Sequence, residues 1–81
     1  MGADFQGILE MYKIKTHTQG VLGNLGLTET AVFAKICPDE PSFREFGKVD
    51  LLMDEGAGIV KRVEVAHLIN AWDVSRARLE A

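Results

Sequence analysis

The sequence of 81 residues contains a single cysteine, Cys37, so no disulfide bond can form within the chain. Small secreted domains usually depend on disulfides for their stability, which favours an intracellular protein, cytoplasmic or nuclear. Cys37 directly precedes Pro38 and is expected at the C-terminal end of a helix. The helix dipole there disfavours a thiolate, so the sequence predicts a buried apolar side chain rather than a nucleophile.

The sequence also lacks a long hydrophobic run and an excess of positive charge. No uninterrupted apolar segment approaches the ~20 residues of a transmembrane helix, and we predict no association with a membrane. Nine basic and twelve acidic residues give a net charge of -3, which disfavours nonspecific binding to nucleic acid or anionic lipid. We predict one small helical domain over residues 1–81, either standing alone or excised from a longer protein.

Recognisable catalytic and metal-binding patterns are absent as well. His17 and His67 are the only histidines, and neither has further ligands at metal-binding spacing on the same helical face. Both are expected to be solvated surface residues. The glycine-rich segment 20–28 lacks the lysine of a phosphate-binding loop, and no pair of titratable residues is spaced for acid–base catalysis. We predict that the protein is not an enzyme and uses no cofactor or metal.

The strongest pattern that is present lies in the C-terminal stretch, residues 63–81. Apolar residues recur there at steps of three and four, which places them on one side of a helix: Val65, Leu68, Ile69, Trp72 and Leu79. Trp72 is the only tryptophan and stands inside this stripe. We predict that it anchors the core, and that this amphipathic helix begins near Val63 or Glu64.

The N-terminal half predicts shorter helices. A helix capped by Asp4 is expected over residues 4–17, followed by a helical turn over residues 21–27 that ends at Gly26. Another helix is expected over residues 28–36, with Thr28 as its N-cap. That helix should bury Val32, Phe33 and Ile36.

Between this half and the C-terminal stretch, the sequence predicts a short helix capped by Asp39, which has Pro41 in its first turn and ends at Gly47. Glu40 and Arg44 have the spacing of a favourable ion pair on it. Residues 54–58 read as a loop, and residues 59–65 as a helix or a loop. The fold class that we predict is all-α, a compact bundle of four to five short helices.

Two helices flanking the turn at residues 37–41 raise the question of a helix-turn-helix. The second helix would have to present polar side chains to the major groove of DNA. It offers Arg44 and Lys48, but its neighbourhood is acidic, with Asp39, Glu40 and Asp50. Sequence-specific DNA reading is therefore disfavoured.

The densest positive charge is supplied by four residues, and these are our candidate partner-binding residues: Lys61, Arg62, Arg76 and Arg78. Arg76 falls within the apolar stripe, between Trp72 and Leu79. One explanation is that its guanidinium lies over the edge of the core and stacks on Trp72. The other is that it anchors a partner, because arginine and tryptophan are enriched in interface hot spots.

Three segments follow one another in the chain: LGLTETAVFAKI (25–36), DEPSFREF (39–46) and RVEVAHLINAWDVSRARLE (62–80). In this order they resemble a small helical module of uncharacterised, retroelement-linked proteins of dinoflagellate-type protists. The resemblance covers residues 22–80. It implies an all-helical fold and a place within a longer protein. No activity is assigned to such modules, so the resemblance implies no functional residue.

Taken together, these patterns predict a non-enzymatic protein-interaction or assembly module that binds a protein partner or a second copy of itself. The alternative is a nucleic-acid-associated accessory domain of a mobile element or chromatin-like protein.

Overall fold

The computed structural model describes residues 1–80. It contains five α-helices and a 3-10 turn at Glu55–Ala57, and no strand within those residues. The helices are α1 (Ala3–Met11), α2 (Thr16–Asn24), α3 (Thr30–Lys35), α4 (Glu40–Val49) and α5 (Ile59–Glu80). The predicted all-α fold is confirmed, although α5 is not short. Its 22 residues span about 33 Å, nearly the 34 Å of the longest dimension of the molecule.

Helix α5 organises the fold, because α1, α3, α4 and the 3-10 turn all pack against it. Trp72 on α5 is fully buried, which confirms the prediction that it anchors the core. Its ring stacks on that of Phe43 from α4, with centroids 4.7 Å apart. Phe43 in turn lies edge-on to Phe33 of α3 at 5.7 Å, and Phe33 contacts Phe5 of α1 at 5.0 Å. This aromatic chain joins four of the five helices.

The buried stripe of α5 differs from the prediction at its C-terminal end. Leu79 is exposed, whereas Ala71 and Ser75 are completely buried. The hydroxyl of Ser75 donates a hydrogen bond to the carbonyl of Ala71 at 2.8 Å, so its burial leaves no unsatisfied donor. The prediction that Leu79 belongs to the buried stripe was wrong, since its side chain in the last turn of α5 is 43% exposed.

The predicted helix over residues 4–17 is instead two helices with a tight turn between them. Lys13 adopts the left-handed conformation, with φ 61°. The N–H of Ile14 donates to the carbonyl of Leu9 at 2.9 Å, and that of Lys13 to Glu10 at 3.1 Å. This pattern is a Schellman C-cap, completed by the burial of Leu9 and Ile14. Burying Ile14 requires the chain to turn, and the prediction of a continuous helix was therefore wrong.

The predicted helix end at Gly26 is confirmed. Gly26 has φ 87°, and the N–H of Leu27 donates to the carbonyl of Leu22 at 2.9 Å. Both leucines are buried. The same cap therefore ends α1 and α2, with glycine at the left-handed position only in α2.

Two predicted N-caps are displaced. Gly2 caps α1, and Asp4 lies in its first turn. Glu29 rather than Thr28 precedes α3. Because α3 has only six residues, it buries Phe33 and Ala34 but leaves Val32 and Ile36 exposed, contrary to the prediction.

The predicted start of α4 is confirmed, since the carboxylate of Asp39 accepts a hydrogen bond from the N–H of Ser42 at 2.9 Å. Arg44 pairs with Glu40 as predicted, at 3.3 Å, and also with Glu55 at 2.6 Å. Gly47, however, lies inside the helix and is buried, so it does not end it.

Helix α5 begins at Ile59, four residues before the predicted start near Val63. The ambiguous segment 59–65 is therefore helical. Gly58, with φ 130°, lets the chain enter α5 directly from the 3-10 turn.

Candidate functional site

An apolar groove lies beside the first two turns of α5. On one wall stand Ile59, Val60 and Val63, which are 64%, 62% and 46% exposed. Ile14 and Met53, both buried, lie at its base. The groove has a volume of about 310 Å³. Three exposed β-branched residues within five positions, beside an apolar depression, are typical of an interaction site.

The groove results from two turns of the chain. The left-handed cap at Lys13 reverses the backbone, so that Ile14 and Lys15 face α5 across the groove. The turn at Gly58 starts α5 at Ile59, directly after the 3-10 turn. Three apolar residues in the first two turns of α5 remain exposed there.

The rim of the groove is predominantly basic. Lys15 pairs with Glu64 at 2.6 Å, and Lys61 approaches the same carboxylate at 3.5 Å. The hydrogen bond from Lys15, followed by the charge of Lys61, lowers the pKa of Glu64. Lys13, also on the lining, makes no ion pair with any residue from 1 to 80. Two lysines thus contact one glutamate and a third lines the groove, which gives this site a local positive charge on an acidic protein.

A second exposed apolar surface, which we call the α4 patch, lies on another part of the molecule. Its apolar members are Leu25, Ile36, Phe46 and Val49. Glu45 and Asp50 line the same depression, and no lysine or arginine does. The α4 patch therefore has an acidic rim.

The groove and the α4 patch are connected by a shallow depression. Lys15 and Glu64 line both this depression and the groove, whereas Asp50 lines both the depression and the α4 patch. Leu52 lies between them, 80% exposed and held at φ 57°. Charged residues and the exposed Leu52 thus lie between the apolar residues of the α4 patch and those of the groove.

The four basic residues predicted to bind a partner do not form one patch. Residues 62 and 76 are about 21 Å apart along α5. Lys61 contacts Glu64, as described, and Arg62 is exposed without an ion pair in the described part of the chain. Arg76 places its Cζ atom 4.6 Å from the centroid of the Trp72 ring. This is the stacking arrangement that was one of the two explanations for its place in the stripe.

Arg78 joins the two ends of the chain. Its guanidinium donates a hydrogen bond to the carboxylate of Asp4, which also accepts one from the hydroxyl of Thr30 at 2.8 Å. The hydrogen bonds from Thr30 and then from Arg78 lower the pKa of Asp4. This cluster links α1, α3 and α5.

The cysteine and the two histidines lie in different surroundings. Cys37 is buried as predicted, and burial together with the nearby carboxylates of Asp39 and Asp50 raises the pKa of its thiol. His17 is exposed as predicted, but His67 is partly buried on the lining of the groove. Within residues 1–80 no three potential metal ligands converge.

The residues that form the groove were not identified as functional from the sequence. Ile59, Val60 and Val63 belong to the segment whose periodicity was ambiguous. The available signal was that these three residues fall outside the stripe of Val65, Leu68 and Trp72 on a helical wheel. Apolar residues off the core-facing stripe are candidates for an interface.

Comparisons of the chain with protein-family models, curated proteins and solved structures find no match. None of the helices in residues 1–80 combines the length and apolar character needed to cross a bilayer. Assignment of a function therefore rests on the surface of the protein.

Proposed function

We propose that this chain is a non-enzymatic protein-interaction module whose groove binds the apolar face of an acidic amphipathic helix. The observation that carries the proposal is the exposed row of Ile59, Val60 and Val63 along a groove with apolar base residues. Helices bind in such grooves through anchors spaced at i, i+3, i+4 and i+7. Lys13, Lys15 and Lys61 favour acidic residues flanking those anchors.

Burial of the groove residues supplies a moderate driving force. Complete burial of one valine or isoleucine side chain contributes about 1.5–3 kcal/mol. The three wall residues are already partly covered, so their contribution in a complex is smaller than three times that value. Binding also costs translational and rotational freedom. The balance is typical of a reversible interaction.

The alternative, a nucleic-acid-associated accessory domain, has less support. Arg44 is paired with Glu40 and Glu55, Arg78 with Asp4, and Lys61 with Glu64. Lys15 also pairs with Glu64, so four of the nine basic residues are held in ion pairs on a protein of net charge -3. Affinity for DNA or RNA should accordingly be weak, with a Kd of ~10⁻⁴ M or poorer near physiological salt.

The proposal is tested by titrating the isotope-labelled chain with a designed helical peptide that has leucines at i, i+3, i+4 and i+7 and glutamates elsewhere. Amide shift changes are expected at residues 13–18 and 59–68. Val60→Asp should abolish them, because it places a carboxylate in the apolar wall. Val60 lies in the first turn of α5, where an acidic residue interacts favourably with the helix dipole, so we expect the variant to keep the fold.

Val32→Asp is the matched control, since Val32 is comparably exposed but lies on α3 outside the groove. It should bind the peptide like the unaltered chain. Shift changes that persist in Val60→Asp, or that map elsewhere, contradict the proposal. Micromolar binding to labelled duplex or single-stranded oligonucleotides that strengthens as salt falls and is lost in Lys61→Ala/Arg62→Ala would favour the alternative.

A further inference from the structure

We infer that the acidic helical surface recognised by the groove is the α4 patch of a second copy of this chain. The inference rests on the proposed function and names its partner. Groove and patch are chemically complementary on two counts, apolar area and charge.

The α4 patch has the features that the groove requires. Phe46 and Val49 are three residues apart on α4 and therefore share a face, with Leu25 and Ile36 beside them. Val49 is 58% exposed, so it is free to enter a depression on another molecule. An exposed apolar side chain on a regular helix can serve as one of the anchors by which helices bind in apolar grooves.

The charges at the two rims have opposite sign. Lys13, Lys15 and Glu64 line the groove, with Lys61 beside Glu64. The patch is lined by Glu45 and Asp50 and by no cation. A groove facing a second groove, or a patch facing a second patch, would bring like charges together. The contact of groove with patch is therefore the favoured pairing.

The connection between the two surfaces fits a symmetric arrangement. A two-fold axis makes each contact twice, since every residue pair across the interface recurs with the copies exchanged. The depression around Leu52, which lies between the groove and the α4 patch, is then near the two-fold axis. Both groove–patch contacts form in one closed dimer.

The available area is sufficient for such a dimer. An interface of standard size removes about 800 Å² from each partner. That is about one sixth of the 4752 Å² surface of the protein. Seven large apolar side chains with substantial exposure line the groove, the α4 patch and the depression between them: Leu25, Ile36, Val49, Leu52, Ile59, Val60 and Val63. Covering them would remove from water seven of the eleven large apolar side chains that are exposed among residues 1–80.

The test uses one variant on each surface, Val60→Asp in the groove and Val49→Lys in the α4 patch. Lysine near the C-terminus of α4 suits the helix dipole, so both variants should keep the helical circular dichroism of the unaltered chain. Sedimentation equilibrium should show a dimer for the unaltered chain and for Val32→Asp. Each of the two surface variants alone should dimerise at least ~10-fold more weakly.

The decisive measurement is an equimolar mixture of the two variants. The Val60→Asp chain has an intact patch and the Val49→Lys chain has an intact groove, so one complete contact can form. The mixture should therefore dimerise more strongly than either variant alone, and raised salt should weaken that dimer. A mixture that dimerises no better than its components overturns the inference, as does an unaltered chain that remains monomeric at ~1 mM.

The two proposals fail in different ways. If the unaltered chain is monomeric but binds the acidic peptide in a manner lost in Val60→Asp, the groove binds a helix of another protein. The proposed function then stands and the second copy is excluded as its partner.

Discussion

Trp72 occupies a position where a large ring is enclosed on all sides. Phe43 stacks on one face, and the guanidinium of Arg76 lies over the ring at 4.6 Å. The indole Nε1 is buried and has no acceptor among residues 1–80. A buried N–H without a partner costs about 1–3 kcal/mol, so the packing of the ring must outweigh that loss. Trp72 therefore stabilises the fold through the contacts of its ring, because its N–H makes no hydrogen bond among residues 1–80.

We therefore expect Trp72→Ala to lower the free energy of unfolding by about 3–5 kcal/mol, measured by urea denaturation. A domain of this size has about 5–15 kcal/mol in total, so the variant should be close to unfolding. Trp72→Phe should cost less, because it keeps a ring against Phe43 and removes the unsatisfied N–H. Equal losses for the two variants would contradict this account.

At the scale of the element, the two Schellman caps place different residues in the same conformation. Lys13 and Gly26 both have positive φ, at 61° and 87°. A side chain in this region costs about 1–2 kcal/mol, a cost that glycine avoids. The cap at α1 is therefore strained in a way that the cap at α2 is not.

Exchanging the residue type should move stability in opposite directions at the two caps. Lys13→Gly is expected to raise the free energy of unfolding by about 0.5–1 kcal/mol, and Gly26→Ala to lower it by about 1 kcal/mol. Chemical denaturation of both variants measures the difference. A destabilised Lys13→Gly variant would contradict the strain that is assigned to the left-handed lysine.

At the scale of the whole molecule, three carboxylates connect distant parts of the chain or cap its helices. The N–H of Ser42 lowers the pKa of Asp39, and hydrogen bonds lower the pKa of Asp4 and of Glu64. Glu64 and Asp4 tie α5 to the segment before α2 and to α1, respectively. Because each folded pKa lies below its unfolded value, these groups stabilise the fold when they are ionised.

Stability should therefore be nearly constant above about pH 5, and should fall as pH decreases through about 4 and below. In that range the unfolded chain binds more protons than the folded protein, so a fall in pH favours unfolding. Glu64→Gln should be less stable at neutral pH and show a shallower loss on acidification. Urea midpoints at about pH 7 and pH 3 provide the comparison; identical losses for the two chains would rule out a contribution from Glu64.

The sequence by itself determined the features that depend on near neighbours in the chain. The cap of Asp39 on Ser42, the helix end at Gly26 and the burial of Trp72 within a periodic stripe all follow from residues a few positions apart. These interactions form within one or two turns, so spacing and residue type are sufficient to predict them.

Only the tertiary structure decided how far each apolar face is covered. Periodicity shows which residues share a side of a helix, but not where a neighbouring element ends. Val32 and Leu79 are exposed, and Ser75 is buried, because of the position and length of the surrounding helices. The turn at Lys13 forms because burying Ile14 offsets the strain of a left-handed lysine, a balance with no local signal. The groove depends on that turn and on the early start of α5, and hence on contacts between residues more than forty positions apart.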